Sequence, residues 1–271
     1  MLKEYGLNVY NGMNLMLPKI EYFYSQIKNG ISFVKINHSF WEMLSGDERW
    51  INAYSKLFDK KIIDEVKFIL TNIDKSKIKI AVSAVGCHTM NGEDIDLEKK
   101  IALTIKKNLP KDVLPFYAVC WKIYALDGSL KLFFEKIRNK KIIVVGLMHL
   151  FELEKKLNLS KFYHYELDLS SSRPIKRMKV LKDLKKIAKF LKSSSKEEGD
   201  DEEVIFIFQA GELFSTWLIY NLSKLNIKKF SFIDMGRSLD YFCPNKKMIK
   251  KDENIYPLKL RNFYNQIWLK Q

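Results

Sequence analysis

Val204-Ile-Phe-Ile-Phe-Gln-Ala-Gly-Glu212 and, one helix-length later, Phe230-Ser-Phe-Ile-Asp-Met-Gly-Arg237 decide the fold. Each begins with a short run of apolar, mostly aromatic and β-branched residues, as expected of a strand buried on both faces of a parallel sheet. Each run ends at a glycine-containing turn, and between the two lie Leu213, Trp217, Leu218 and Leu222 at helical spacing. That is one strand, turn, helix and strand unit.

The same unit recurs upstream. Lys141-Ile-Ile-Val-Val-Gly146 reads as a buried strand, followed by a helical segment from about His149 with Leu150, Leu153 and Leu157, and Phe162 to Leu167 reads as the next strand. From Lys176 to Lys192, Leu181, Leu184, Ala188 and Leu191 share one helix face and lysines occupy the others. Recurrent βαβ units predict an α/β fold: a Rossmann-like, doubly wound, mostly parallel sheet with helices on both faces.

Farther from this repeat the pattern is less regular. Ile31–Ile36 and Ile78–Val85 look like strands, Ile62, Val66, Ile69 and Leu70 mark a helix between them, and Asp96 is placed to cap a helix carrying Leu97, Ile101, Ile105 and Leu109. The expected organisation is a single α/β domain over 1–271. Residues 1–30 are read as an N-terminal extension, 193–203 as an acidic mobile loop without apolar residues, and 245–271 as a tail packing on the domain.

Composition bounds the function. Apolar residues make up 47% of the chain, which excludes disorder over most of its length. No stretch of about 18 uncharged apolar residues exists to span a membrane, and the first ten residues lack the pattern of a secretory signal. The three cysteines, Cys87, Cys120 and Cys243, form neither a disulfide framework nor a CxxC pair, so a reduced, cytoplasmic setting is expected. Cys120 sits among apolar residues and reads as core.

The formal charge of +15 raises nucleic acid as a partner. Only six of the 47 basic residues are Arg, the residue best suited to bidentate base and phosphate recognition, so nucleic acid is not expected. Surface solvation is the main reading of the lysines; peripheral contact with a membrane surface stays open.

In open α/β sheets ligands bind beyond the carboxyl ends of the strands. That rule selects Gly146 and His149, Gly211 and Glu212, and Asp234, Gly236, Arg237 and Asp240. Tight turns alone also account for the glycines, and an Asp234–Arg237 ion pair or a helix cap also accounts for Asp234. Neither Gly146 nor Gly211 belongs to a GxGxxG or Walker pattern. Lys35, Asn37, His38 and Glu42 crowd the end of an earlier strand, with His38 and Glu42 as base or metal ligand, or His38 as a structural histidine. His88, Asn91 and Glu93 leave another strand, where a plain turn is the alternative.

Three segments together resemble the bacterial and viral glycosyltransferases of the type called GT-D. The family opens on a strand reading roughly fSxxRxGDGE, where this chain has Ile31-Ser-Phe-Val-Lys-Ile-Asn-His38. It closes on an aGp turn, a helix and iDxGxxlD, where this chain has Gln209-Ala-Gly211 and Phe232-Ile-Asp-Met-Gly-Arg-Ser-Leu-Asp240; Ile142 to His149 matches its central vvGp segment. The resemblance implies transfer of a sugar from a nucleotide-diphosphate donor to a glycan or glycoprotein acceptor. It also implies a divalent metal, Mn or Mg, held by acidic residues of the opening motif. Here Asn37-His-Ser-Phe40 replaces Gly-Asp-Gly-Glu and the first acid is Glu42. On this reading Lys35, Asn37, Gly146, His149, Gly211, Asp234, Gly236, Arg237 and Asp240 bind the donor, and Glu42, His38 or Glu212 serves as base. The alternatives are another Rossmann-type nucleotide or S-adenosylmethionine user such as a methyltransferase, and a non-catalytic binding protein with a degenerate transferase fold.

Overall fold

A computed structural model of the chain describes residues 7–10, 13–16, 18–82, 95–111, 113–118, 120–168, 170–197 and 202–243. His88, Asn91, Glu93, Cys87 and the tail 245–271 lie outside them.

The chain opens with two short strands, β1 (Leu7–Tyr10) and β2 (Met13–Met16), and a helix, α1 (Ile20–Lys28). Next come β3 (Ser32–Ile36), α2 (His38–Leu44), α3 (Glu48–Leu57), α4 (Lys60–Thr71), β4 (Ile78–Val82) and α5 (Ile95–Asn108). After β5 (Phe116–Tyr117), α6 (Cys120–Leu126) and α7 (Ser129–Ile137), the regular repeat begins with β6 (Lys141–Gly146) and a 3₁₀ turn, Met148–Glu152, leading into α8 (Leu153–Leu157). It continues through β7 (Lys161–Glu166), α9 (Pro174–Glu197), β8 (Val204–Phe208), α10 (Glu212–Ser223) and β9 (Phe230–Asp234), and closes with a 3₁₀ segment, Gly236–Tyr241.

The strands form one sheet in the order β1-β2-β5-β4-β3-β9-β8-β6-β7. Only β1 and β2 pair antiparallel; every other adjacent pair is parallel. The doubly wound α/β fold is therefore the observed one. Its central strands are buried at every position, because helices cover both faces.

The period-two alternation of each strand sorts its side chains into two cores. Val34, Ile36, Val145, Phe206, Phe208 and Phe232 point to one face, where α2, α4, α5, α9 and α10 contribute Trp41, Val66, Ile105, Leu184 and Leu218. Phe33, Val144, Ile207 and Ile233 point to the other, against Phe23 of α1, Trp121 of α6, Phe134 of α7 and Leu153 of α8.

Several expectations need correction. The described part of residues 1–30 is no appendage, since β1 and β2 extend the sheet and Phe23 and Ile27 of α1 are completely buried. The stretch 193–203 is not a loop throughout: α9 runs on to Glu197, because a long helix adds turns at little cost even when they are polar. Asp96 lies inside α5, paired with Lys99, and does not cap it. Cys120 is buried core as expected, and burial pushes its thiol well above the usual range. Among the described residues no helix is long and apolar enough to cross a membrane.

Candidate functional site

The exits of the central strands diverge. β3 and β8 feed α2 and α10, which cover one face, whereas β9 and β6 feed the 3₁₀ segments whose Leu239 and Leu150 pack into the opposite core. Neighbouring strands whose chains leave toward opposite faces mark topological switch points, here between β3 and β9, β9 and β8, and β8 and β6, and at such points this architecture holds its ligands in a crevice.

Lys35, Glu212 and Asp234 gather at the first two. Lys35 is the penultimate residue of β3 and only 7% exposed; Asp234 ends β9 at 1%. Glu212 is the first residue of α10, and its carboxylate is enclosed although part of the residue meets solvent. The Asn37 backbone N–H donates to Glu212 Oε2 at 2.6 Å, the Ser39 hydroxyl donates to Oε1 at 3.2 Å, and the Tyr54 hydroxyl also donates to Oε1. Burial pushes the Glu212 carboxyl up to about 7, against the opposing pull of the Asn37 amide, the Lys35 charge and the Ser39 hydroxyl.

Asp234 is likewise raised to about 7 by burial, with Lys35 and the Gly236 amide acting in the opposite sense. Its Oδ1 accepts from Gly236 N at 2.9 Å, while Oδ2 has no hydrogen-bond partner among the described residues. Gly236 has φ of +51°, and a Cβ there would collide with Lys35 Nζ. A glycine is needed at this position twice over, for its backbone and for the lysine packed against it.

A second group lies toward β6. Asp240 Oδ1 meets His149 Nε2 at 3.0 Å and accepts from Gln209 Nε2 at 2.7 Å, while Asp240 Oδ2 accepts from Arg237 Nε at 3.2 Å. Arg237 thus pairs with Asp240, three residues on in the same 3₁₀ segment, and the alternative Asp234–Arg237 pair is not what forms. Gln209 Oε1 is a second buried acceptor without a donor among the described residues.

The remaining expected residues divide. Asn37 takes part through its backbone, at the N-terminus of α2. Gly211, with φ of +82°, turns β8 into α10, whereas a Cβ on Gly146 would press on Leu150 and on the Gln209 carbonyl, so close packing accounts for that glycine. His38 meets the edge of Trp50, and Glu42, 3% exposed, pairs with Arg49 at 3.3 Å. Spaced four apart, both turn toward α3, while Ser39 between them turns to Glu212. Ser39 and Tyr54 are site residues that no sequence signal marked.

Among the described residues no three His, Cys, Asp or Glu side chains are grouped to hold a metal ion. Lys35 acts electrostatically on both Glu212 and Asp234, so the described part of the site already carries a positive charge beside its two carboxylates.

No family model matches the chain, and no curated protein matches it. Two solved structures are similar over most of its length. One is the selenomethionine form of domain of unknown function 1792, at 10% identity and a TM-score of 0.48, covering 82% of this chain and 77% of that one. The other is a structure of the same domain described as having a distinct glycosyltransferase fold, at 9% identity and a TM-score of 0.49, covering 86% and 79%.

Proposed function

We propose that the protein is a glycosyltransferase that moves a sugar from a nucleotide-diphosphate donor to a hydroxyl of a glycan or glycoprotein acceptor. The observation that carries this reading is the group of Lys35, Glu212 and Asp234 at the diverging strand exits. It joins the opening and closing segments of the sequence resemblance to one transferase family.

In the reaction an acceptor oxygen attacks the anomeric carbon, the bond from that carbon to the diphosphate oxygen breaks, and the nucleoside diphosphate leaves with the electron pair. The acceptor proton goes to Glu212, whose carboxyl near 7 is matched to taking a proton at neutral pH. Hydrogen bonds from Asn37, Ser39 and Tyr54 fix its orientation. Lys35 and the exposed face of Arg237 supply positive charge for the departing diphosphate. Asp234 Oδ2, at the end of β9, and Gln209 Oε1, just past the end of the adjacent β8, are buried acceptors suited to donor hydroxyls.

The test is calorimetric titration with a panel of nucleoside diphosphates and their sugars, beside S-adenosylmethionine, each with and without chelator. The reading expects a nucleoside diphosphate to bind, chelator to leave its affinity unchanged, and Asp234→Asn to weaken a nucleotide sugar at least tenfold. Binding of S-adenosylmethionine alone overturns it.

A further inference from the structure

We infer that α9 is a docking face for an anionic lipid bilayer. The inference is independent of the reaction assigned to the strand ends.

The inner side of α9 is ordinary core: Val180, Leu181, Leu184, Ala188 and Leu191 are buried against the sheet. Its outer side is not an ordinary solvated face. Ile175 is 89% exposed, Met178 57% and Phe190 69%, and Lys179, Lys182, Lys186 and Lys189 are exposed among them. At about 100° per residue these seven positions fall within an arc of roughly 120° that points directly away from the core. Between Ile175 and Phe190 no acidic residue falls on the arc. Asp183, at its margin, is half-buried and accepts from the Tyr165 hydroxyl.

Each half of this composition asks for a different property of a partner. Four lysines with no acid among them ask for negative charge, and a run of four to eight basic residues on an amphipathic helix is what an anionic lipid surface attracts. Three large apolar side chains held in water ask for a medium that takes them in, which an acyl boundary does when a helix lies in its plane. Nucleic acid satisfies only the first. The single arginine of α9, Arg177, is buried and paired with Asp59, so the arc offers no guanidinium for bidentate phosphate contact. A bilayer containing acidic headgroups satisfies both.

The experiment is flotation of the full chain with vesicles of phosphatidylcholine alone and of equimolar phosphatidylcholine and phosphatidylglycerol, at low and high salt, with duplex DNA as a parallel ligand. Two multiple variants are compared: Ile175→Ser with Met178→Ser and Phe190→Ser, and Lys179→Glu with Lys182→Glu, Lys186→Glu and Lys189→Glu. All seven side chains are exposed, and unchanged thermal unfolding shows that each variant is folded. The expected result is binding to the phosphatidylglycerol vesicles only, weakened by salt, with each variant reducing the partition coefficient at least tenfold. Failure to bind either vesicle, binding that the serine variant leaves intact, or preferential binding of DNA overturns the inference.

Discussion

The backbone N–H of Asn37 donates to the carboxylate of Glu212 at 2.6 Å across 175 residues of chain, fastening the exit of β3 to the first turn of α10. Glu212 is thereby held at the mouth of the cleft by a donor that no side-chain substitution removes, which makes it a clean target. Glu212→Gln keeps the volume and an acceptor for Asn37 but removes the base. Transfer should fall by about 10²–10⁴-fold, the usual worth of a general base, while affinity for a nucleoside diphosphate changes little. Steady-state kinetics beside calorimetry separate the two. Loss of nucleotide affinity equal to the loss of rate would show that Glu212 binds the donor instead.

Asp234 makes a prediction about pH and stability. Its folded pKa near 7 lies above the ordinary carboxyl value of 3.8, because burial outweighs the pull of Lys35 and of the Gly236 amide. Between those values the folded chain keeps a proton that the unfolded chain has released, so this group's contribution to stability is complete below about pH 4 and is lost as pH rises toward 7. Asp234→Asn has no such loss. Denaturant unfolding should therefore show the variant gaining on the wild type between pH 5 and 7, by at most about 1.4 kcal/mol per pH unit for one proton. A difference that is flat across that window counts against a buried, proton-binding carboxyl.

Gly236→Ala tests the contact with Lys35. The positive φ alone costs about 1 kcal/mol, and the added methyl must push the lysine Nζ away from the cleft. Nucleoside diphosphate affinity should fall more than stability does, at least tenfold against a loss of about 1–2 kcal/mol. An alanine variant that binds normally would place the diphosphate away from Lys35.

Away from the cleft, Arg177 ties three helices together. It is 3% exposed on its side chain, reaches Asp59, the N-cap of α4, at 2.8 Å and Glu65 within α4 at 3.9 Å, and lies over the Trp217 ring of α10 at 5.3 Å. Trp217 Nε1 in turn donates to Glu65. Arg177→Met should cost about 2–3 kcal/mol, below the figure for a fully buried pair because Asp59 and Glu65 keep some solvent. Activity per folded molecule should stay unchanged, as measured by denaturant unfolding beside an assay in dilute buffer.

What the amino-acid sequence determined by itself is the set of central strands, their helices and the edge at which a site forms. Continuous apolar runs such as Val204–Phe208 and Ile142–Val145 can be satisfied only by burial on both faces, and the helices between them bury one stripe each; these are properties of neighbouring residues. Asp234, Gly236 and Glu212 were legible for the same reason, since each directly follows or ends such a run. Which side chains meet was decided only by the tertiary structure. Lys35 faces Asp234 because β3 lies beside β9, a neighbour relation between strands nearly 200 residues apart that no local pattern encodes. Ser39 and Tyr54 reach Glu212, and His38 and Glu42 turn instead to α3, because the rotation of α2 is set by the packing of Phe40 and Trp41 into the core. The raised pKa values have the same origin: a carboxyl's proton affinity depends on how much water and which charges surround it, and both are fixed only when distant segments close over it.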